Sequence, residues 1–312
     1  MSAPSRPREN FIRLRACFFL SGAAGLIYQV AWVKALGLIF GHTVYAIATV
    51  LAVFMAGLTV GSAWLGRWSE RSSGPIILYS RIEFLVAASG AFSLAGLAGV
   101  RWLYVTAYPG SAHIEPILLA MRFLGATVVM FVPTFLMGGT LPILVRATTR
   151  AFSQLARRVS QLYWINTFGA VTGTLLSGFI LLPALGLRAT VAFAALLNVL
   201  AGLLALQIPK QASAMRGTPE ALQLTPVPAA SPEPQFPFVL VLFAAVGATA
   251  FAYEIAWTRL LAITISSSTY AFTLMLATFL AGTVIGDVYK RQPLWPHSCT
   301  VEQLAAIHPS EQ

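Results

Sequence analysis

The chain has 312 residues, of which 57% are hydrophobic and only 10% charged, and its 20 Lys and Arg against 10 Asp and Glu give a formal charge of +10. A soluble domain carries about 25% charged residues. Eight stretches of at least 17 residues contain no Asp, Glu, Lys or Arg, and about 20 apolar residues suffice for a helix to cross the hydrocarbon core of a bilayer. The composition therefore predicts an integral membrane protein whose partner is lipid. It excludes a soluble enzyme, a nucleic-acid-binding protein and a disulfide-rich scaffold.

The charge-free stretches predict an all-α membrane protein with eight transmembrane helices in a 6+2 arrangement. A six-helix membrane bundle is expected over 16–207, and two further helices over 237–286. The segment 208–236 is rich in Pro, Ala and polar residues, so we expect a flexible cytoplasmic linker there. The predicted helices are 16–38, 43–65, 76–98, 117–138, 162–182, 187–207, 237–261 and 267–286.

The basic residues lie between the apolar stretches and are unevenly distributed over the two sides of the membrane. If residues 1–15 form a cytoplasmic basic N-terminus, most arginines of the connecting segments fall on the cytoplasmic side. This asymmetry follows the positive-inside rule. It predicts a multi-pass protein with a cytoplasmic N-terminus. The arginines that set this orientation are Arg6, Arg8, Arg13, Arg15, Arg67, Arg71, Arg146, Arg150, Arg157, Arg158 and Arg216.

An internal repeat is the most specific pattern in the chain. Residues 22–61 align with residues 247–286 without gaps, and 14 of the 40 positions are identical. The identical pairs include Tyr28 with Tyr253 and Trp32 with Trp257, which generic apolar composition would not produce. Four predicted helices separate the two copies, so both copies have the same direction through the membrane. Parallel halves of this kind are typical of major-facilitator transporters.

The similarity between the two copies stops at Gly286. The next six residues, DVYKRQ, look like the translation of an adapter used in sequencing libraries. We therefore expect 287–312 to be a foreign, adapter-derived tail, and we expect the natural protein to continue past Gly286.

Several long motifs resemble the membrane region of fused major-facilitator/spermidine-synthase proteins. They are SGAAGLIYQVAW at 21–32, PTFLMGGTLP at 133–142, LYWINTFGAVTGTLLSGFILLPALGLR at 162–188 and AYEIAWTRLLA at 252–262. The resemblance implies a location in the bacterial inner membrane. It also implies a cytosolic domain similar to polyamine aminopropyltransferases, which transfer an aminopropyl group from decarboxylated S-adenosylmethionine to putrescine.

The chain lacks the residues that such catalysis needs. No glycine-rich GxGxxG loop is present, and residues 1–286 contain only seven carboxylates, whereas transfer to a diamine requires acidic residues to bind the amine and accept its proton. We therefore expect no catalytic residue, cofactor or metal site here, and a membrane part that either simply anchors a missing synthase domain or also passes a polyamine-like cation to or from it. The alternative is a stand-alone major-facilitator-like secondary transporter with four more spans after Gly286.

Six residues form a candidate cation path. Glu254 is the central one, because an acid costs about 2.5–3.5 kcal/mol at the bilayer centre and such residues are usually functional. It aligns with Gln29, and the neighbouring aromatic rings offer cation-attracting faces. The structural alternative is an ion pair of Glu254 with Arg122. The candidate path comprises Glu254, Tyr253, Trp257, Tyr28, Trp32 and Glu83.

Other polar and small residues predict packing. Glu83 is expected near the cytoplasmic interface, where it would reach solvent or meet Arg67 or Arg71. Asn166 and Asn198 are expected to form hydrogen bonds between helices. Three pairs of glycines have the GxxxG spacing that lets helices approach closely, and prolines near 138 are expected to end the fourth helix. The glycine pairs are Gly57/Gly61, Gly169/Gly173 and Gly282/Gly286.

Overall fold

The computed structural model describes residues 7–40, 43–72, 74–107, 115–148, 155–209, 236–265 and 267–290. Every regular element in these ranges is helical. The helices are α1 Pro7–Phe40, α2 Thr43–Glu70, α3 Pro75–Ala107, α4 Glu115–Thr148, α5 Leu155–Leu176, α6 Leu182–Leu206, α7 Phe236–Ile265 and α8 Ser268–Lys290, with a π-helical turn at Ser177–Leu181 between α5 and α6. The predicted all-α class is therefore confirmed.

Seven helical stretches within these ranges are long and apolar enough to cross a membrane. The chain is accordingly a multi-pass membrane protein. Hydroxyl groups inside the spans bond to their own helices: Thr134 donates to the carbonyl of Met130 at 2.9 Å and Thr174 to that of Ala170 at 2.8 Å. Such bonds satisfy polar side chains where no water is available.

The longest of the seven stretches, Arg158–Leu206, contains α5, the π-helical turn and α6. It is interrupted at Gly186, whose φ of 73° and ψ of 179° are not helical. This backbone conformation is essentially restricted to glycine. The sequence predicts two separate spans at 162–182 and 187–207. The structure has one helical stretch there, with a break at Gly186.

The core lies among α1 to α6. The most extensive contacts join α2 with α4, α1 with α5 and α6, and α3 with α4 and α6. Glycines allow several of these close approaches: a Cβ atom at Gly57 or Gly61 would overlap Thr134 or Phe135 of α4, and one at Gly173 would overlap Ala23 of α1. Packing is therefore confirmed for Gly57/Gly61 and Gly169/Gly173. A Cβ atom at Gly282 or Gly286 would meet no other atom within 4 Å among the described residues.

Several predicted helix ends are wrong: α1 begins at Pro7 rather than at 16, and α3 continues past 98 to Ala107. Helix α4 does not end near 138 but continues through Pro133 and Pro142 to Thr148. Helix α2 extends past 65 to Glu70. Close packing explains the continuation of α4, because Gly138 and Gly139 lie against Leu58 and Leu65 of α2 and hold this part of the helix in place.

The last two helices have few neighbours. Helix α8 packs on α5 and on α7, whereas α7 makes only limited contact with α2 besides its contact with α8. Most of the predicted linker (210–235) and most of the predicted foreign tail (291–312) lie outside the described residues.

Candidate functional site

Helices α1 and α3 run in the same direction and pair polar groups along the interior of the bundle. The hydroxyl of Tyr79 donates to the carbonyl of Cys17 at 3.3 Å. Further along both helices, the indole Nε1 of Trp32 donates to the hydroxyl of Ser93 at 2.8 Å. These two bonds join α1 to α3 at two places along their contact.

Glu83 lies on this contact and is completely buried. Its Oε2 atom accepts a hydrogen bond of 2.7 Å from Nδ2 of Asn198 on α6. The side chains of Ser21 and Tyr79 lie beside the same carboxyl group. Helix α6 is held to α3 one turn away, where the hydroxyl of Ser80 donates to the carbonyl of Gly202 at 2.9 Å.

The expectation of an interfacial Glu83 is wrong. The side chain is 0% exposed, while Arg67 and Arg71, its expected partners, are both exposed. The physical reason is packing: side chains of α1 and α6, among them Ser21 and Asn198, lie against this carboxyl group. The predicted interhelical role of Asn198 is confirmed, because its amide supplies the hydrogen bond to Glu83.

Tyr28 and Trp32 occupy the same interior surface of α1. Both are fully buried, and their rings stack with centroids 5.4 Å apart and an interplanar angle of 18°. The Tyr28 ring lies so close to Gly90 of α3 that a side chain at that position would overlap it. The Tyr28 hydroxyl is buried without a hydrogen-bond partner among the described residues.

Glu254 points into the protein from α7, but its two aromatic neighbours point away. Glu254 is 5% exposed, and the Oε1 atom of its carboxyl group has no hydrogen-bond partner among the described residues. Tyr253 is 62% and Trp257 54% exposed. Tyr253 and Trp257 are four residues apart and lie on one face of α7, and their positions around the helix are about 100° and about 60° from that of Glu254.

The candidate cation path is thus divided in the structure. Tyr28, Trp32 and Glu83 lie in the core among α1, α3 and α6, whereas Glu254 is on α7 and the rings of Tyr253 and Trp257 face outward. The side chain of Arg122, the alternative partner of Glu254, lies outside the described residues. A single cluster of all six residues is not formed.

Sequence reasoning missed the partners that complete the interior polar row. Tyr79 and Ser93 carry no motif, Ser21 only opens the motif at 21–32, and the structure places Ser21 beside Glu83 and Ser93 beside Trp32. The available signal was their spacing: Tyr79 and Glu83 are four residues apart and share one face of α3. In the part of the chain that the structure describes, no group of three or more His, Cys, Asp or Glu is placed to hold a metal ion.

One known protein is distantly similar to this chain. The chain is 25% identical over 207 residues to polyamine aminopropyltransferase 1 of Streptomyces coelicolor. The similarity covers 64% of this chain and 36% of the relative, so the matched part is about a third of the relative's length. No family model matches the chain, and no solved structure matches it.

Proposed function

We propose that this chain is the membrane domain of a polyamine-aminopropyltransferase-like protein and that it anchors a cytosolic catalytic domain. The observation that carries the proposal is the similarity to polyamine aminopropyltransferase 1. An alignment of 207 residues cannot be placed on this chain without covering several of its long apolar helices. The shared part is therefore a membrane part, and the remaining length of the relative leaves room for catalysis elsewhere.

The chemistry of the helices supports this division. Aminopropyl transfer needs acidic groups around a diamine and a loop that holds the nucleoside of decarboxylated S-adenosylmethionine. The carboxylates whose side chains the structure describes are Glu70, Glu83 and Glu254, and they lie on three different helices. We assign the transfer step to a domain outside these helices and the anchoring role to the helices themselves.

We infer an eight-pass topology, which the break at Gly186 supports. The start of α1 lies beside the end of α6, since Arg13 Nη1 donates to the carbonyl of Gln207 at 3.1 Å. The same part of α1 also lies beside α5, where Gly169 is packed against Phe19. Both ends of the stretch 158–206 thus approach one end of α1, which favours two passes joined at Gly186 and a 6+2 plan with a parallel repeat.

The anchoring proposal is tested with the intact natural protein in bacterial membranes. We expect the membrane fraction to form spermidine from putrescine and decarboxylated S-adenosylmethionine, and we expect residues 1–286 alone to form none. Removing the helices from the intact protein should move the activity to the soluble fraction. An intact protein without this activity would contradict the proposal.

A stand-alone secondary transporter is the second candidate function. Two carboxylates buried in apolar helices, Glu83 and Glu254, favour it, because such residues usually mark substrate or proton pathways. It predicts four further spans and no soluble domain in the natural protein.

A polyamine-like cation is the substrate that we propose for any transport through these helices. Uptake of labelled spermidine by cells with the intact protein tests it, with Glu254→Gln as the variant and Glu70→Gln, an exposed carboxylate, as the matched control. We expect Glu254→Gln to reduce uptake at least tenfold and Glu70→Gln to leave it unchanged. Equal uptake by wild type and Glu254→Gln would return Glu254 to a packing role.

A further inference from the structure

Two buried acceptor atoms lie without partners at the contact of Glu83 with Asn198. Glu83 is 0% and Asn198 1% exposed. One hydrogen bond joins them, from Nδ2 of Asn198 to Oε2 of Glu83. The other oxygen of each group, Oε1 of Glu83 and Oδ1 of Asn198, is buried and has no hydrogen-bond partner among the described residues. Buried polar atoms of this kind are rare and need an explanation.

Among the described residues, no Lys or Arg side chain faces Glu83 to supply a positive charge. The polar and titratable groups that face it are Cys17, Ser21 and Tyr28 from α1, Tyr79 from α3 and Asn198 from α6. Within the described part of the chain, no Lys or Arg side chain is among the groups that act on this carboxyl. A carboxylate without a cation in the interior of a membrane bundle is strongly unfavourable.

One proton resolves both problems. A protonated carboxyl group gains an O–H donor and loses its charge. A carboxylic acid and a primary amide can then form two reciprocal hydrogen bonds, in which the amide N–H donates to one carboxyl oxygen and the acid O–H donates to the amide oxygen. Rotating the Asn198 amide by 180° would instead set its oxygen against Oε2, and two facing oxygens also require a proton between them.

We propose that Glu83 and Asn198 form a carboxyl–amide pair that binds one exchangeable proton inside the bundle of α1, α3 and α6. Binding adds a proton to the carboxylate and forms the O–H bond, and release returns the proton to solvent when the contact of α3 with α6 opens. No other bond is made or broken. Proton binding at this pair does not depend on aminopropyl transfer or on polyamine transport, so the proposal is independent of the function of the intact protein.

Infrared difference spectroscopy of the full chain in lipid bilayers tests the protonation. The spectrum of wild type minus that of Glu83→Gln at neutral pH should show the carbonyl stretching band of a protonated carboxyl group, shifted to lower frequency in D₂O. The exposed Glu70 provides the matched control, and Glu70→Gln should give carboxylate bands only. Carboxylate bands in the Glu83 difference spectrum would overturn the proposal.

A second variant tests the pairing with Asn198. In Asn198→Ala the protonated-carboxyl band should move to higher frequency, because the acid loses its amide partner. An unchanged band would overturn the pairing. If Asn198→Ala does not fold, Glu83→Gln decides instead: a neutral Gln keeps both reciprocal bonds, so its thermal unfolding midpoint should equal that of wild type. A lower midpoint for Glu83→Gln would overturn the proposal. Stabilisation of wild type alone by Na⁺, without an acid band, would also overturn it, because that result would indicate that the pair binds a metal cation and not a proton.

Discussion

Helices α1 and α7 share Gly, Tyr and Trp at matched positions, but the protein covers them to very different extents. The apolar window of α1 is 78% buried and that of α7 is 6% buried. Tyr28 and Trp32 stack in the core, whereas Tyr253 and Trp257, their sequence counterparts, face outward. The same pattern of side chains is therefore not sufficient to fix an environment. The neighbours decide it, and α1 packs extensively on α5 and α6, whereas α7 packs mainly on α8.

Among matched substitutions in α1 and α7, we expect those of the two tryptophans to differ most in their effect on the free energy of unfolding. Trp32 is fully buried, stacks on Tyr28 and donates a hydrogen bond to Ser93, so Trp32→Ala removes a large packed ring and leaves a cavity. We expect Trp32→Ala to lower the free energy of unfolding by about 3–5 kcal/mol. Trp257→Ala, at a ring 54% exposed, should change it by about 0.5 kcal/mol.

Reversible denaturation of the purified protein in lipid–detergent micelles measures both tryptophan variants. Equal losses of unfolding free energy for the two variants would contradict the difference between α1 and α7, because they would show that the ring of Trp257 is packed as tightly as that of Trp32.

The matched glycines should differ by a smaller amount. A side chain at Gly22 would overlap the backbone carbonyl and the side-chain oxygen of Asn166 on α5, whereas a Cβ at Gly247 has no atom within 4 Å among the described residues. Gly22→Leu should therefore cost about 1–3 kcal/mol of unfolding free energy through overpacking. Gly247→Leu should be neutral or stabilising by up to about 1 kcal/mol, because Leu favours the helix over Gly.

The same unfolding experiment with the two glycine variants compares how closely other helices approach the backbones of α1 and α7. A loss for Gly247→Leu as large as that for Gly22→Leu would mean that another helix lies against α7 in the membrane.

The positions of the spans were readable from the sequence because each span is a one-dimensional property, a run of residues without charge. The register between helices was not. Glu83 and Asn198 are 115 residues apart, and no local pattern states that they meet. Likewise, the prolines at 133 and 142 are ordinary helix-ending signals, and only the close packing of Gly138 and Gly139 on α2 explains why α4 continues past them.

In the candidate site, too, the sequence does not predict which side chains of different helices meet. Helical spacing places Glu254 about 100° from Tyr253 but only about 60° from Trp257, so the sequence alone did not divide that trio. The burial of Glu83 could not be read from the sequence either, because it depends on groups of α1 and α6 that face its side chain. The distance of Glu83 from the start of α3 predicts a position at the cytoplasmic interface. That distance says nothing about which other helices pack against Glu83.

The smallest expected effect concerns the matched tyrosine hydroxyls. The hydroxyl of Tyr28 is buried and has no hydrogen-bond partner in the described part of the chain, and leaving a buried polar group unpaired costs about 1–3 kcal/mol. Tyr28→Phe should therefore leave the free energy of unfolding unchanged or raise it by up to about 1 kcal/mol. Tyr253→Phe, at an exposed ring, should change it by about 0.5 kcal/mol at most. A loss above about 1 kcal/mol for Tyr28→Phe alone would mean that its hydroxyl binds a water molecule or a cation, and it would strengthen the proposed cation path at α1 rather than at α7.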